Sequence, residues 1–333
     1  MPILGIVASR NGGTPSAPTI GTATAGNTSA TVTYTASTYT GKGAATYTAI
    51  ASPGGLTGTG ASPITISGLT NGTAYTFTVR ATSTTGQTAT SATSNSITPS
   101  NPSFTMEFLV VGSGGNGLYG GGGGGQVLSG TNVWSSGNTF NITVGASGNA
   151  SSYYVYTAGI GASGWYEQGN GLNGTSGSGA ATQSTNMFTG GTGSAGGNGG
   201  NTTTSGQAYI QSCGGGGAGG SANVMNSGNG VASSITGTST YYAGGGAGGQ
   251  YSNSGSAGLG GTARGQAGAN NTGAGAGSNP GSPLSGGSGV VILAYPDSNP
   301  ALTIPGGLGY TQPTRSGYRV YRFTNGVGTV TVQ

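Results

Sequence analysis

Apolar and aromatic residues alternate with threonine in the first third of this chain. This period of two is typical of half-buried β-strands, and Gly-Gly, Asn-Gly and Thr-Gly pairs separate the segments as turns. Six or seven short strands within about 85 residues predict a β-sandwich over residues 16–100. The clearest alternating segments are residues 30–34, 45–50, 64–66 and 75–79.

From residue 104 onward the pattern changes. Two apolar segments, residues 106–111 and 289–295, enclose a region in which nearly one third of the residues are glycine. Two apolar runs that flank a glycine-rich body predict paired central strands that clamp it. The glycine-rich runs between them lie at residues 120–125, 196–200, 214–220 and 244–249.

Glycine adds no side chain to a core and loses the most backbone entropy on folding. One physical solution is the left-handed helix with three residues per turn, because side-chain-free helices can approach closely and bond through their backbones. At about 3.1 Å per residue, the six glycines of residues 120–125 would span roughly 19 Å. The alternative is a distorted β-sandwich with glycine in bulges and turns. We expect a mixture of the two.

The sequence thus predicts an all-β protein in four parts. Residues 1–15 form an apolar N-terminal segment and linker, and residues 16–100 form the sandwich. Residues 104–296 form a glycine-rich domain of β-strands and polyglycine II helices. Residues 297–333 are expected to form a C-terminal β-hairpin that turns at Asn325 and Gly326.

Composition excludes most chemistry. The chain of 333 residues has 7 Lys and Arg, 3 Asp and Glu, and no His. No Ser-His or Cys-His couple and no imidazole metal site can form, and a carboxylate pair would need distant segments to meet. Gly112, Gly114 and Gly117 fit a dinucleotide-binding pattern, but no acidic residue follows at the required distance. We expect no enzyme, no cofactor and no metal.

The few charges also limit the partners. A net charge of +4 spread over this length does not form the clustered basic face of a nucleic-acid-binding protein. Arg315, Arg319 and Arg322 fall close together, either on a solvated strand edge or against an anionic neighbour. Cys213, the single cysteine, is interpreted as a small apolar filler. No run approaches the roughly 20 apolar residues of a membrane span.

Residues 16–100 resemble a fibronectin type III domain. The resemblance rests on the spacing of Leu69, Gly72, Tyr75, Phe77, Val79 and Ala81. In that family the tyrosine makes a corner bond between the two sheets. The usual tryptophan of the second strand is absent, and Tyr34 is expected to fill its place. The resemblance implies a spacer or docking module.

The remainder resembles the glycine-rich domain of bacteriophage tail-fibre and other virion structural proteins. Residues 107–111, 140–145, 213–220 and 287–296 carry this resemblance, together with the tail at residues 317–332. It implies a non-enzymatic protein of the virion surface that assembles as a homotrimer. Its expected partners are other capsid or tail proteins and a bacterial surface polysaccharide or outer-membrane protein. A capsid decoration or head fibre with a structural role only is the alternative.

Two groups of site residues follow from this resemblance. The apolar N-terminal segment is interpreted as a virion-docking peptide that adds to a sheet edge. Aromatic residues between the glycine runs suit sugar faces and protein surfaces, although they could equally fill gaps between glycine helices. The docking residues are Ile3, Leu4, Ile6 and Val7, and the receptor-contact residues are Tyr153, Tyr154, Tyr156, Trp165, Tyr166, Tyr241, Tyr242 and Tyr251.

Overall fold

A computed structural model describes residues 13–164, 169–182, 187–202, 211–250 and 253–333. The chain divides into two compact units, Met1–Pro102 and Ser103–Gln333. Within the described ranges there is no helical segment, and the regular elements are β-strands. The predicted all-β fold is confirmed.

The first unit contains seven antiparallel strands in two sheets. One sheet has three strands in the order β1-β2-β5, and the other has four in the order β4-β3-β6-β7. The strands are β1 (Thr19–Ala25), β2 (Ser29–Thr35), β3 (Thr46–Ser52), β4 (Thr57–Thr59), β5 (Ile64–Ser67), β6 (Thr76–Thr82) and β7 (Thr88–Thr90).

Alternation along the strands builds the core of this unit. In β6, Phe77, Val79 and Ala81 are fully buried, whereas the residues between them are partly or fully exposed. The same period places residues of β2, β3 and β5 in one apolar cluster with β6. Tyr75 stands just before β6, and its hydroxyl accepts a hydrogen bond of 3.1 Å from the backbone N–H of Thr70. This bond ties the loop after β5 to the start of β6.

The second unit is built around a sheet of eight strands. Seven of them follow the order β12-β11-β10-β21-β19-β8-β9, and β20 pairs with β21 beside this path. They are β8 (Ser103–Val111), β9 (Val127–Ser135), β10 (Thr139–Thr143), β11 (Ser151–Tyr153), β12 (Tyr156–Ala158), β19 (Val290–Pro296), β20 (Leu308–Thr311) and β21 (Tyr318–Thr331).

The described part of the glycine-rich region contains six shorter strands. Four of them form a sheet in the order β13-β14-β17-β18, and β15 pairs with β16. They are β13 (Ala181–Thr182), β14 (Gln211–Ser212), β15 (Val231–Ser233), β16 (Thr240–Tyr242), β17 (Gly249–Gln250) and β18 (Asn253–Ser254).

The predicted pairing of the two apolar strands is confirmed. β8 and β19 pair antiparallel, with Leu109 opposite Ile292 and Phe108 opposite Leu293. Phe108 and Leu293 belong to one buried cluster, while Leu109 and Ile292 belong to another. Both faces of these strands are therefore covered, which explains their continuous apolar sequence.

The turn predicted at Asn325 and Gly326 is wrong, although the C-terminal segment does contain an antiparallel strand pair, β20 and β21. Asn325 and Gly326 lie inside β21, which runs unbroken from Tyr318 to Thr331. The first half of β21 pairs with β19 and the second half with β10. Gly326 has a φ of 92° and faces Leu308 of β20, next to an irregularity in the β20–β21 ladder. Long-range pairing on both sides thus overrides the local turn signal of Asn-Gly.

The six glycines at residues 120–125 form a helix with three residues per turn. Their backbone N–H groups point in turn to three neighbouring segments, and the cycle repeats after every third residue. The donor–acceptor pairs are Gly120 to Gly164, Gly121 to Cys213, Gly122 to Ala276, Gly123 to Ala162, Gly124 to Gly216 and Gly125 to Gly273, at 2.8–3.3 Å. This periodicity is that of the polyglycine II helix.

Three further segments donate hydrogen bonds back to this run. The N–H groups of Gly115, Gly179 and Gly246 bond the carbonyls of Gly123, Gly121 and Gly122. The central run is thus surrounded by six neighbours. All six of its N–H groups and the carbonyls of Gly121, Gly122 and Gly123 are hydrogen-bonded, which offsets the cost of burying them. A Cβ atom on any residue from 120 to 125 would overlap a neighbouring carbonyl oxygen. Close backbone approach therefore explains why this segment contains only glycine.

Candidate surface-contact site

Few side chains of the kinds that bind metals or react occur in the described part of the chain. No cluster of three or more His, Cys, Asp or Glu occurs among the described residues. Cys213 is fully buried, and burial raises the pKa of its thiol to about 12. The same described ranges contain no helix with the length and apolar character needed to cross a membrane.

The three clustered arginines have partners within the chain. Arg315 forms an ion pair with Glu107. Arg319 donates a hydrogen bond to the backbone carbonyl of Asn299, and Arg322 donates one to that of Asn271. Both distances, 2.9 and 3.2 Å, are ordinary for such bonds. Arg319 and Arg322 thus tie β21 to the chain at Asn299 and Asn271. Arg315 ties the segment before β21 to β8.

Tyr153 lies at the centre of an aromatic cluster inside the eight-stranded sheet. Its ring is fully buried and contacts Phe108 and Phe140. Its hydroxyl accepts a hydrogen bond of 2.8 Å from Nε1 of Trp134 and donates to the sulfur of Met106. A ring without exposed surface cannot touch a receptor. The receptor-contact role predicted for Tyr153 is therefore corrected to a core role.

The next residues form an exposed hairpin tip. Tyr153 pairs with Tyr156, so Tyr154 and Val155 make the turn between β11 and β12. Tyr154 is 53% exposed and has a φ of 54°, and Val155 is 70% exposed. One edge of Tyr154 rests on Trp134 with 5.1 Å between ring centroids. Tyr156 is half-buried and stacks on a core phenylalanine. The tip thus presents one supported aromatic ring to solvent.

The second aromatic pair divides in the same way. Tyr241 is 37% exposed, whereas Tyr242 is buried in the cluster that covers the Leu109 and Ile292 face of β8 and β19. Alternation along β16 produces this difference, because neighbouring residues of a strand point to opposite faces. Tyr242 is therefore also corrected to a core role. The other predicted contact residues, Trp165, Tyr166 and Tyr251, lie outside the described residues, as do the docking residues Ile3, Leu4, Ile6 and Val7.

A relationship that sequence reasoning missed concerns a small sheet in the glycine-rich unit. The strands β13, β14, β17 and β18 form one sheet of four. Gly169 bridges to Ala181 of β13 beside it. Short strands from distant parts of the chain therefore meet at one place in the glycine-rich unit.

Two features made this relationship invisible in the sequence. The strands concerned have two residues each, too short for any alternation to register. Their pairing also joins positions far apart, such as Ser212 with Gly249. Only the repeated return of the chain between glycine runs could have suggested it.

Comparison with known proteins gives one result. A family described as a glycine-rich domain matches residues 88–296. The match covers more than half of the chain, so the protein belongs to this glycine-rich family. No curated protein matches the chain, and no solved structure matches it.

Proposed function

We propose that this chain is a non-enzymatic surface protein of a bacteriophage particle that contacts the host cell through its glycine-rich unit. The observation that carries the proposal is the partial exposure of Tyr154 and Tyr241 on two short strand pairs of the glycine-rich unit. Rigid folds commonly present binding residues on such short surface elements.

The glycine scaffold supports this proposal through its rigidity. Backbone hydrogen bonds from six neighbours hold the 120–125 run without charged side chains or a conventional core. A stiff support lowers the entropy that surface residues lose on binding. Tyr154 and Tyr241 are the described candidates for receptor contact, because both rings are partly exposed on short hairpins.

We assign the first unit a spacer role as a fibronectin type III-like domain. Its three- and four-stranded sheets and the bond from Thr70 N–H to the Tyr75 hydroxyl support this likeness. Attachment to capsid or tail proteins through Ile3, Leu4, Ile6 and Val7, and assembly as a homotrimer, belong to the same proposal and follow from the resemblance of the sequence.

The test is binding of the purified full-length chain to a panel of bacterial cells and to their extracted surface polysaccharides. We expect binding to one host range, and a loss of at least several-fold when Tyr154 or Tyr241 is replaced by serine. Tyr39→Ser is the matched control, because Tyr39 is as exposed as Tyr154 but belongs to the first unit. Absence of binding to every strain that the phage infects would contradict the proposal.

A capsid decoration or head fibre with a structural role only is the second candidate. The burial of Tyr153 and Tyr242 favours it, because these rings fill the interior rather than face a receptor. Phage particles that lack the chain separate the two functions. A structural role predicts normal adsorption with reduced resistance to heat, whereas a contact role predicts reduced adsorption.

A further inference from the structure

An open groove lies on the first unit, and its lining includes none of the residues proposed for receptor contact. Its volume is about 690 Å³, and it is lined by β2, β3 and the loop between β4 and β5. The rings of Tyr34 and Tyr47 form its aromatic part, with 4.8 Å between their centroids and 37° between their planes. Both rings are half-buried at the edge of the core. They therefore offer part of their faces to the groove.

Hydrogen bonds fix both rings at their hydroxyl ends. The hydroxyl of Tyr34 donates to the backbone carbonyl of Gly60 at 2.9 Å, and the backbone N–H of Tyr34 donates to the hydroxyl of Ser62. The hydroxyl of Tyr47 accepts from the N–H of Ser37 at 3.0 Å. Because these bonds hold the rings before any ligand arrives, little side-chain entropy remains to be lost on binding. The pair is a preformed aromatic platform.

The remaining lining decides the chemistry of the ligand. It consists of alanine, glycine, threonine and serine, and no charged side chain lines the groove. Small apolar groups beside hydroxyls and aromatic faces match a molecule with both C–H and O–H surfaces. An ionic ligand would lose hydration here without gaining a counter-charge.

We infer that this groove is a binding site for neutral saccharides, with Tyr34 and Tyr47 as the stacking platform. The site is on the unit that the proposed function uses only as a spacer, and it does not depend on that function. It would give the chain a weak contact to a sugar-coated surface in addition to the contact made by the glycine-rich unit.

The test is saturation-transfer NMR and calorimetry on the full-length chain with neutral oligomers of glucose, galactose and N-acetylglucosamine. Oligogalacturonate serves as the acidic comparison. We expect binding of at least one neutral oligomer and no binding of the acidic one. Ala61→Gln should obstruct the groove from an exposed position, and Tyr47→Ala should weaken binding roughly three- to tenfold, the range of one aromatic contact.

Thr88→Gln is the matched control. Thr88 is also exposed, and it lies on β7, at the edge of the four-stranded sheet opposite to β4. It should leave the affinity unchanged. If Tyr47→Ala unfolds the unit, Ala61→Gln still decides the question. The inference is overturned if no neutral oligomer binds, if Ala61→Gln leaves binding intact, or if a proline-rich peptide binds the groove in place of sugars. Loss of cell binding by Tyr154→Ser leaves this result unaffected, so the two proposals fail separately.

Discussion

The guanidinium of Arg315 donates two hydrogen bonds to the carboxylate of Glu107, at 2.6 and 3.0 Å. Arg315 also lies 3.7 Å from the ring centroid of Tyr318 and donates to the backbone carbonyl of Ile235. In a chain with only three acidic residues, this pair joins strand β8, the glycine-rich region and the segment before β21. Its parallel two-bond geometry is the strongest form of such a contact.

Breaking this pair should measurably destabilise the second unit. We expect Glu107→Gln to lower the free energy of unfolding by about 1 kcal/mol, since the pair is partly exposed but bidentate. The difference from the unaltered protein should shrink in 1 M salt, where ionic interactions are screened within about 3 Å. Chemical denaturation at low and high salt measures both effects. Arg80→Gln, an exposed change in the first unit, is the control. An effect independent of salt would contradict an ionic contribution.

A methyl group added to the central glycine helix should disrupt the second unit. In Gly124→Ala the new Cβ would overlap the carbonyl oxygen of Ala243. The backbone of Ala243 cannot move aside as a flexible side chain can. The loss in the free energy of unfolding should therefore exceed about 3 kcal/mol, the upper range for ordinary overpacking. Gly306→Ala is the control, because that position is exposed with open space around it. Thermal unfolding of both variants provides the measurement, and a stable Gly124→Ala protein would argue against close helix packing.

The thiol of Cys213 should be unreactive in the folded protein. Burial raises its pKa to about 12, so very little thiolate exists at pH 8, and no reagent can reach the sulfur without local opening. Labelling with a thiol reagent should proceed only after denaturant is added and should then report one group. Ser316→Cys, at an exposed position, supplies a thiol that should react at once. Rapid labelling of the unaltered protein under native conditions would refute the buried position.

Stability should fall at alkaline pH because of buried tyrosines. Burial raises the pKa of Tyr153, Tyr242 and Tyr295 above the ordinary value of 10. Below pH 10 each phenol is protonated in both states, so its contribution is fully present. Above pH 10 the unfolded phenols ionise while the folded ones do not, which favours unfolding by up to about 1.4 kcal/mol per group and pH unit.

Tyr153→Phe should reduce this dependence of stability on pH by at most the contribution of one tyrosine. The substitution also removes the hydrogen-bond acceptor of Trp134 Nε1. Unfolding curves between pH 9 and 11 give the slope, and absorbance of the phenolate shows when the rings ionise. Val133→Ala, which alters an exposed side chain that does not ionise, should leave the slope unchanged. An equal slope for Tyr153→Phe and the unaltered protein would show that this ring does not contribute.

The sequence allowed those parts of the fold to be predicted in which side chains carry the information. Alternation placed β2, β3, β5 and β6, and continuous apolar residues identified β8 and β19 as a buried pair. The turn predicted at Asn325 and Gly326 failed because β19 and β10 together hold β21 straight across that point. A local turn preference is worth little against two long-range ladders.

The glycine-rich unit was predicted in character but not in arrangement. The run at residues 120–125 indicated a three-residue helix, yet nothing in it identified Cys213 or Ala276 as hydrogen-bond acceptors. Glycines are chemically identical, so no side chain encodes which run neighbours which. The exposure of Tyr154 and the burial of Tyr153 were likewise beyond prediction, because they depend on where Trp134 lies.

The position of the 120–125 helix has a consequence for the order in which this unit assembles. Its acceptors at Gly164, Cys213 and Ala276 all follow it in the chain, so a growing polypeptide exposes the run long before its partners exist. Contacts of such long sequence separation delay folding, because loop closure must precede any gain. Residues 120–125 are therefore synthesised early, but their hydrogen bonds to later segments form late. We therefore expect the glycine-rich unit to complete its folding only after β21, the last strand of the central sheet, has been made.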